Sequence, residues 1–401
     1  MPEQHSRKPG GLALYLGIVQ FFLLLTWTVY AIYLPELLAS VGIDKGWTPW
    51  VLLADQVLFA CFDVLAGFMA DRAFRLYARI GYGVAAAAAV SCIAFAALPF
   101  VPGLGASPLI FLLLIAVWAV SSAALRSPLF ALLARHAPQP EVPKLAGLAL
   151  LGMGLAAAAS PYLGALLKTL DPRLPFLLAS LALLLTAGGL ILAERGYGSP
   201  SAPKPQPAAR AVPAPGWLPA VLLVALAVQI ATFVNAAPRY LRDSDATWLP
   251  WLLPVFWVSF SFIVFAGPRL AKHWGPPRLF LTGCLVGAAG IGVTLLPGIE
   301  AAISGYGVAG IGWGLVLPSA FGMAAASGRG GRAGTYMGLL FAALAAAAFL
   351  RIGLNMTGWL ETPALTQWVP LWPTLSWLAG GTLMLLVYGY LSRASKGSGG
   401  D

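Results

Sequence analysis

The sequence predicts an all-α polytopic membrane protein with twelve transmembrane helices in two six-helix halves. Three observations lead there: a composition 59% hydrophobic and only 9% charged, a succession of long apolar runs, and a pair of landmarks repeated about 200 residues apart. A soluble protein carries roughly a quarter charged residues. A chain of 401 residues with so little charge has no way to cover its apolar surface without lipid. A run of about 20 apolar residues crosses the hydrocarbon core.

Spans 1 to 12 fall at about 12–34, 48–70, 79–101, 107–131, 145–168, 174–194, 217–238, 247–267, 279–297, 301–325, 334–357 and 371–392. Span 1 follows a polar N-terminus carrying Arg7 and Lys8 and ends in a tyrosine-rich stretch without a small-residue cleavage site. It therefore reads as a retained helix, not a cleaved signal peptide. The loops are short except 195–216, rich in Pro, Ala and Ser, which reads as a flexible cytoplasmic linker. The linker divides the chain into 1–194 and 217–401.

The net charge of +10 invites comparison with nucleic-acid binders, but the basic residues sit in short loops between apolar runs. With the N-terminus inside, 17 of the 24 Lys and Arg residues lie on the inner side and 5 in outer loops (Lys45, Lys168, Arg173, Arg239 and Arg242). Arg126 and Arg351 lie within spans. This is the positive-inside pattern. It expects both termini in the cytoplasm of a cell with the protein in its inner membrane, and no nucleic-acid partner. Cys61, Cys92 and Cys284 fall inside apolar runs and read as small core residues, with neither disulfide framework nor metal spacing.

The repeat supports two equivalent halves. Trp47-Thr48-Pro49-Trp50 opens span 2 and Trp248-Leu249-Pro250-Trp251 opens span 8, an offset of 201. Gly67-Phe68-Met69-Ala70-Asp71-Arg72 closes span 2 and Gly267-Pro268-Arg269-Leu270-Ala271-Lys272 closes span 8, an offset of 200. Two landmarks flanking one span in each half imply a parallel repeat.

The segment from Gly67 through Asp71-Arg72 to Arg75 resembles the loop 2–3 signature of the major facilitator superfamily, with Phe74 in place of its second glycine. Span 10 (Gly314-Leu315-Val316-Leu317-Pro318) and the glycine-rich loop after it are similar to that superfamily too. The resemblance covers nearly the whole chain and implies alternating access by two rocking halves. It implies a gating role for Gly67, Asp71 and Arg72 in an inner charge network, for which Arg126 is the expected partner by position. It also implies a cavity built from spans 1, 4, 7 and 10, making Gln20, Trp27 and Tyr30 of span 1 and Thr232 and Asn235 of span 7 candidate substrate contacts.

Ionisable groups inside a span are costly and are functional suspects by default. They are Asp55, Asp63, Arg126 and Arg351. Asp63 lies seven residues after Gln56, on one helical face, which makes Gln56 a further candidate substrate contact; a carboxylate withdrawn from water suits proton uptake and release. The alternative is an acid held by a neighbouring helix that never titrates. Asp55, nearer the outer surface, is the second proton-coupling candidate. Arg351, with Asn355 one turn later, is a candidate anion-binding group; an interhelical pair with Asp55 is the competing reading. Tyr33, Trp47, Trp50, Trp248, Trp251, Trp359 and Trp372 read as outer-interface anchors. Pro128 and Pro318, in equivalent spans 4 and 10, are candidate kinks.

An enzyme would need a nucleophile, an acid–base pair or metal ligands. His5, His136 and His273 show no such grouping; no enzyme activity, cofactor or metal is expected. The reading is a secondary active transporter for proton-coupled uptake of a small anionic metabolite. Its partners are the substrate, protons and the bilayer, and it works as a monomer. Drug efflux is the alternative within carriers; a channel or lipid scramblase is the alternative of another class.

Overall fold

The computed structural model describes residues 9–77, 80–105, 107–137, 141–197, 215–270 and 274–397. Arg7, Lys8, the linker around Lys204, and Ala271 and Lys272 of the second landmark lie outside the described residues. Within them the chain is helical, without strands. Among the described residues eleven helices have the length and apolar composition to cross a membrane: Gly10–Ser40, Lys45–Tyr77, Gly81–Phe100, Pro108–His136, Val142–Leu167, Arg173–Glu194, Leu218–Tyr240, Ala246–Ala266, Pro276–Thr294, Ile299–Ser327 and Ala333–Met356. They correspond to spans 1 to 11. A twelfth helix, Trp372–Gly397, stands where span 12 is expected. Its opening turns, Trp372-Pro373-Thr374, are weakly apolar.

Prolines start many of these helices. Pro108, Pro143, Pro219 and Pro276 occupy first-turn positions, where a missing N–H costs nothing and the fixed φ favours the helix. Charged side chains close other ends. Glu194 at the end of span 6 accepts the N–H groups of Ile80 and Gly81 at 2.8 Å each, capping span 3. Arg239, expected in an outer loop, is instead buried at the end of span 7. It donates to the carbonyls of Thr294, Leu296 and Gly298 and to Asp243, satisfying the orphan carbonyls at the end of span 9.

Helix ends depart most from hydropathy. Span 2 continues to Tyr77 without a turn at Phe74, because helix propensity persists where the apolar run stops. Phe74 is buried, with the Arg135 guanidinium carbon 3.9 Å from its ring centre. Cys61 is exposed, unlike Cys92 and Cys284. Tyr33 is not an interface anchor: it is buried and donates to the carbonyls of Leu167 and Leu170. Trp47, Trp50, Trp248, Trp251 and Trp359 are exposed.

Span 1 packs on spans 5 and 6, span 3 on 4 and 6, span 7 on 11 and 12, and span 9 on 10 and 12. The first six spans meet the last six mainly where span 2 lies along span 11 and span 5 lies along spans 8 and 10. These seams position the site.

Candidate functional site

On the basic side, spans 2 and 11 touch backbone to backbone. A Cβ added at Gly67 would fall on the Gly334 carbonyl, and one at Gly338 on the Asp63 carbonyl. One turn beyond Gly67, the Asp71 carboxylate accepts the N–H groups of Gly334 and Thr335 at 2.8 Å each and the Thr335 hydroxyl at 2.9 Å. The first turn of a helix offers unpaired N–H groups and the positive end of its dipole. Asp71 therefore ties span 2 to the start of span 11. Arg126 is not its partner, against expectation. Arg72 is exposed and makes no ion pair among the described residues.

Span 4 is broken. Its first helix ends at Ser122, a 3-10 turn covers Ala123–Leu125, and a second helix begins at Ser127. Arg126 sits at the junction with φ −113 and ψ −92. Pro128, in the first turn of the second helix, has no N–H to continue the ladder. Gln20 of span 1 donates to the Leu125 carbonyl at 2.7 Å. It thereby ties span 1 to the break. The break aims Arg126 at span 2: its Nε donates to Asp63 Oδ1 at 2.9 Å and Oδ2 at 3.1 Å. Ser127 Oγ donates to the Asp63 carbonyl at 2.7 Å. The guanidinium carbon lies 4.2 Å from the Phe59 ring centre, and Nη2 is buried without a hydrogen bond. One turn further, Phe130 stacks on Phe321 of span 10 at 4.3 Å and meets Phe341 of span 11 at 5.5 Å. These three buried rings join spans 4, 10 and 11 beside the ion pair. Nothing in the sequence distinguishes them from other apolar residues.

Span 10, by contrast, runs helical through Pro318. Gln56 is buried on the same span as Asp63.

Toward the other side, Tyr30 donates to Asp55 Oδ2 at 2.8 Å. Both side chains are buried, among Trp27, Phe59 and Trp118; the Tyr30 and Trp118 ring centres are 4.6 Å apart. Tyr30 is the only partner of the Asp55 carboxylate among the described residues, and no Arg, Lys or His pairs with it. Trp27 and Tyr30 thus bind spans 2 and 4.

Arg351 turns to span 7, not to Asp55. Its Nε donates to Gln229 Oε1 at 2.9 Å, and its guanidinium carbon lies 4.7 Å from the Phe233 ring centre. It has no acidic partner among the described residues, whereas Arg126 and Arg239 each hold an aspartate. Span 7 carries a π turn at Ala231–Asn235, a feature frequent at functional sites. Thr232 donates to Val228 O within its own helix, and Asn235 donates to Val369 O at 3.0 Å. Asn355 is exposed one turn beyond Arg351. Gln229 and Phe233 are absent from the sequence-based candidates; the signal that could have found them is their i, i+4 spacing on the span that meets span 11.

The family profile described as Major Facilitator Superfamily matches residues 16–351. The chain belongs to this superfamily. It is a multi-pass membrane transport protein. No curated protein sequence matches it. Among solved structures it is similar to the human organic anion transporter MFSD10 (TETRAN), with TM-score 0.72 and 15% identity over 96% of this chain and 100% of that one. It is also similar to the Major Facilitator Superfamily transporter FucP in its outward conformation, with TM-score 0.70 and 12% identity over 95% of this chain and 99% of that one. At these identities the likeness speaks to the fold.

Proposed function

We propose that the chain is a proton-coupled carrier that takes up a small organic anion across the cell inner membrane, with both termini cytoplasmic. The observation that carries this reading is a pair of in-span charges that have no counter-charge among the described residues: Arg351 lacks an acid and Asp55 lacks a cation. Uncompensated charge in a membrane span is expensive, and sites that keep it use it. Arg351 holds the anion. Asp55 carries the proton, with Tyr30 of span 1 the titratable group in contact with it. The Asp63–Arg126 pair, already neutral as a pair, acts as an internal lock with the three phenylalanines. The halves 1–194 and 217–401 rock about this region in alternating access. That MFSD10 is an organic anion transporter agrees with the reading.

The test uses proteoliposomes loaded with a pH-sensitive dye. Addition of small carboxylates outside is expected to draw protons in, saturably, and Arg351→Gln is expected to abolish the signal. An undiminished signal in Arg351→Gln would remove the anion role.

A further inference from the structure

We infer that Arg351 receives a singly charged carboxylate end-on, through Nη1 and Nη2, and that Gln229 is the positioning residue that enforces this mode; the inference rests on the anion reading above. A guanidinium meets a carboxylate bidentately either along its Nε–Nη edge or across its two terminal amino groups. Gln229 Oε1 already accepts from Nε at 2.9 Å, so the first edge is taken. Nη1 and Nη2 make no hydrogen bond among the described residues and are not sealed from the surface. Gln229 is neutral: it fixes the fork without cancelling its charge. Phe233, four residues on and therefore on the same helical face, lies against the guanidinium. Together they hold the plane of the fork from span 7.

Charge number follows from the same inventory. Arg126 is committed to Asp63 and Arg239 to Asp243, whereas Arg351 has no acidic partner among the described residues. A second negative charge on the ligand would be desolvated there without a partner, which is costly. Phe233 is 60% exposed and its ring lies against the guanidinium, so a flat apolar surface adjoins the fork. The fitting ligand is a monocarboxylate with an apolar body, not a dicarboxylate or an inorganic dianion.

The experiment is ligand binding to the purified chain in detergent, by thermal shift and calorimetric titration, with acetate, benzoate, naphthoate, succinate and sulfate as probes. Benzoate or naphthoate is expected to bind at least about tenfold more tightly than succinate or sulfate, the scale of one charge-assisted hydrogen bond. Gln229→Glu sets a carboxylate against the guanidinium and is expected to remove monocarboxylate binding, although the side chains are isosteric and a packing role would tolerate the change. Binding of succinate or sulfate as tight as that of the monocarboxylates overturns the inference on the unaltered protein, whether or not Gln229→Glu folds. Undiminished benzoate binding in folded Gln229→Glu also overturns it. Binding that is unaffected by Arg351→Gln, or no binding by any probe, removes the anion reading and this inference with it.

Discussion

Asp63 joins three spans through a single residue. Its carboxylate holds Arg126, its carbonyl accepts Ser127 Oγ, and the same carbonyl lies where a Cβ on Gly338 would fall. Removing one partner of a buried ion pair leaves an uncompensated charge, at a cost of about 3–5 kcal/mol, whereas replacing both is far milder. Asp63→Asn is therefore expected to destabilise the purified protein by that order, and Asp63→Asn with Arg126→Gln to recover most of the loss in thermal unfolding. Equal destabilisation by the single and double variants would deny the pairing. The charged residues themselves were legible in the sequence, because an ionisable group stands out in an apolar run. Their partners were not. Position along the chain suggested Arg126 with Asp71; the break at Pro128 turns Arg126 toward Asp63 instead, and hydrophobic periodicity carries no trace of that rotation. Arg351 was likewise visible, while Gln229 needed the packing of span 7 on span 11.

Among the helices, spans 2 and 11 show how a sequence motif becomes a contact. Gly67 and Asp71 stand one turn apart because one admits the opposing backbone and the other caps the helix that backbone begins. Loss of a helix cap costs about 0.5–2 kcal/mol. Asp71→Ala is expected to insert normally in the membrane but to loosen the contact between spans 2 and 11 on the basic side. Uptake per inserted protein in proteoliposomes should fall several-fold, by the same order of free energy. Wild-type uptake at normal insertion would show that the cap has no part in gating. The existence of nearly every span could be read from apolar run length. Their ends could not, since span 2 runs to Tyr77 and span 7 takes in Arg239, where local caps and buried carbonyls decide the limit instead of hydropathy.

For the whole molecule, the superfamily was legible because its evidence is spread over the chain: the bias of Lys and Arg between loops, the landmarks 200 and 201 residues apart, and the motif ending in Asp71-Arg72. Substrate and coupling were not, since they depend on which faces of spans 2, 7 and 11 meet. Asp55, in the first six spans, has no cationic partner among the described residues, and Arg351, in the last six, has no acidic one. A proton on the first and a monoanion on the second would leave the moving halves without net change of charge, which suits electroneutral symport. Asp55→Asn mimics the protonated acid and separates coupling from movement. The decisive measurement compares counterflow exchange with accumulation driven by a pH gradient, in proteoliposomes, using the tightest-binding monocarboxylate as substrate. Asp55→Asn is expected to keep counterflow near the wild-type rate and to lose pH-driven accumulation; accumulation that survives intact in this variant would contradict proton coupling through Asp55.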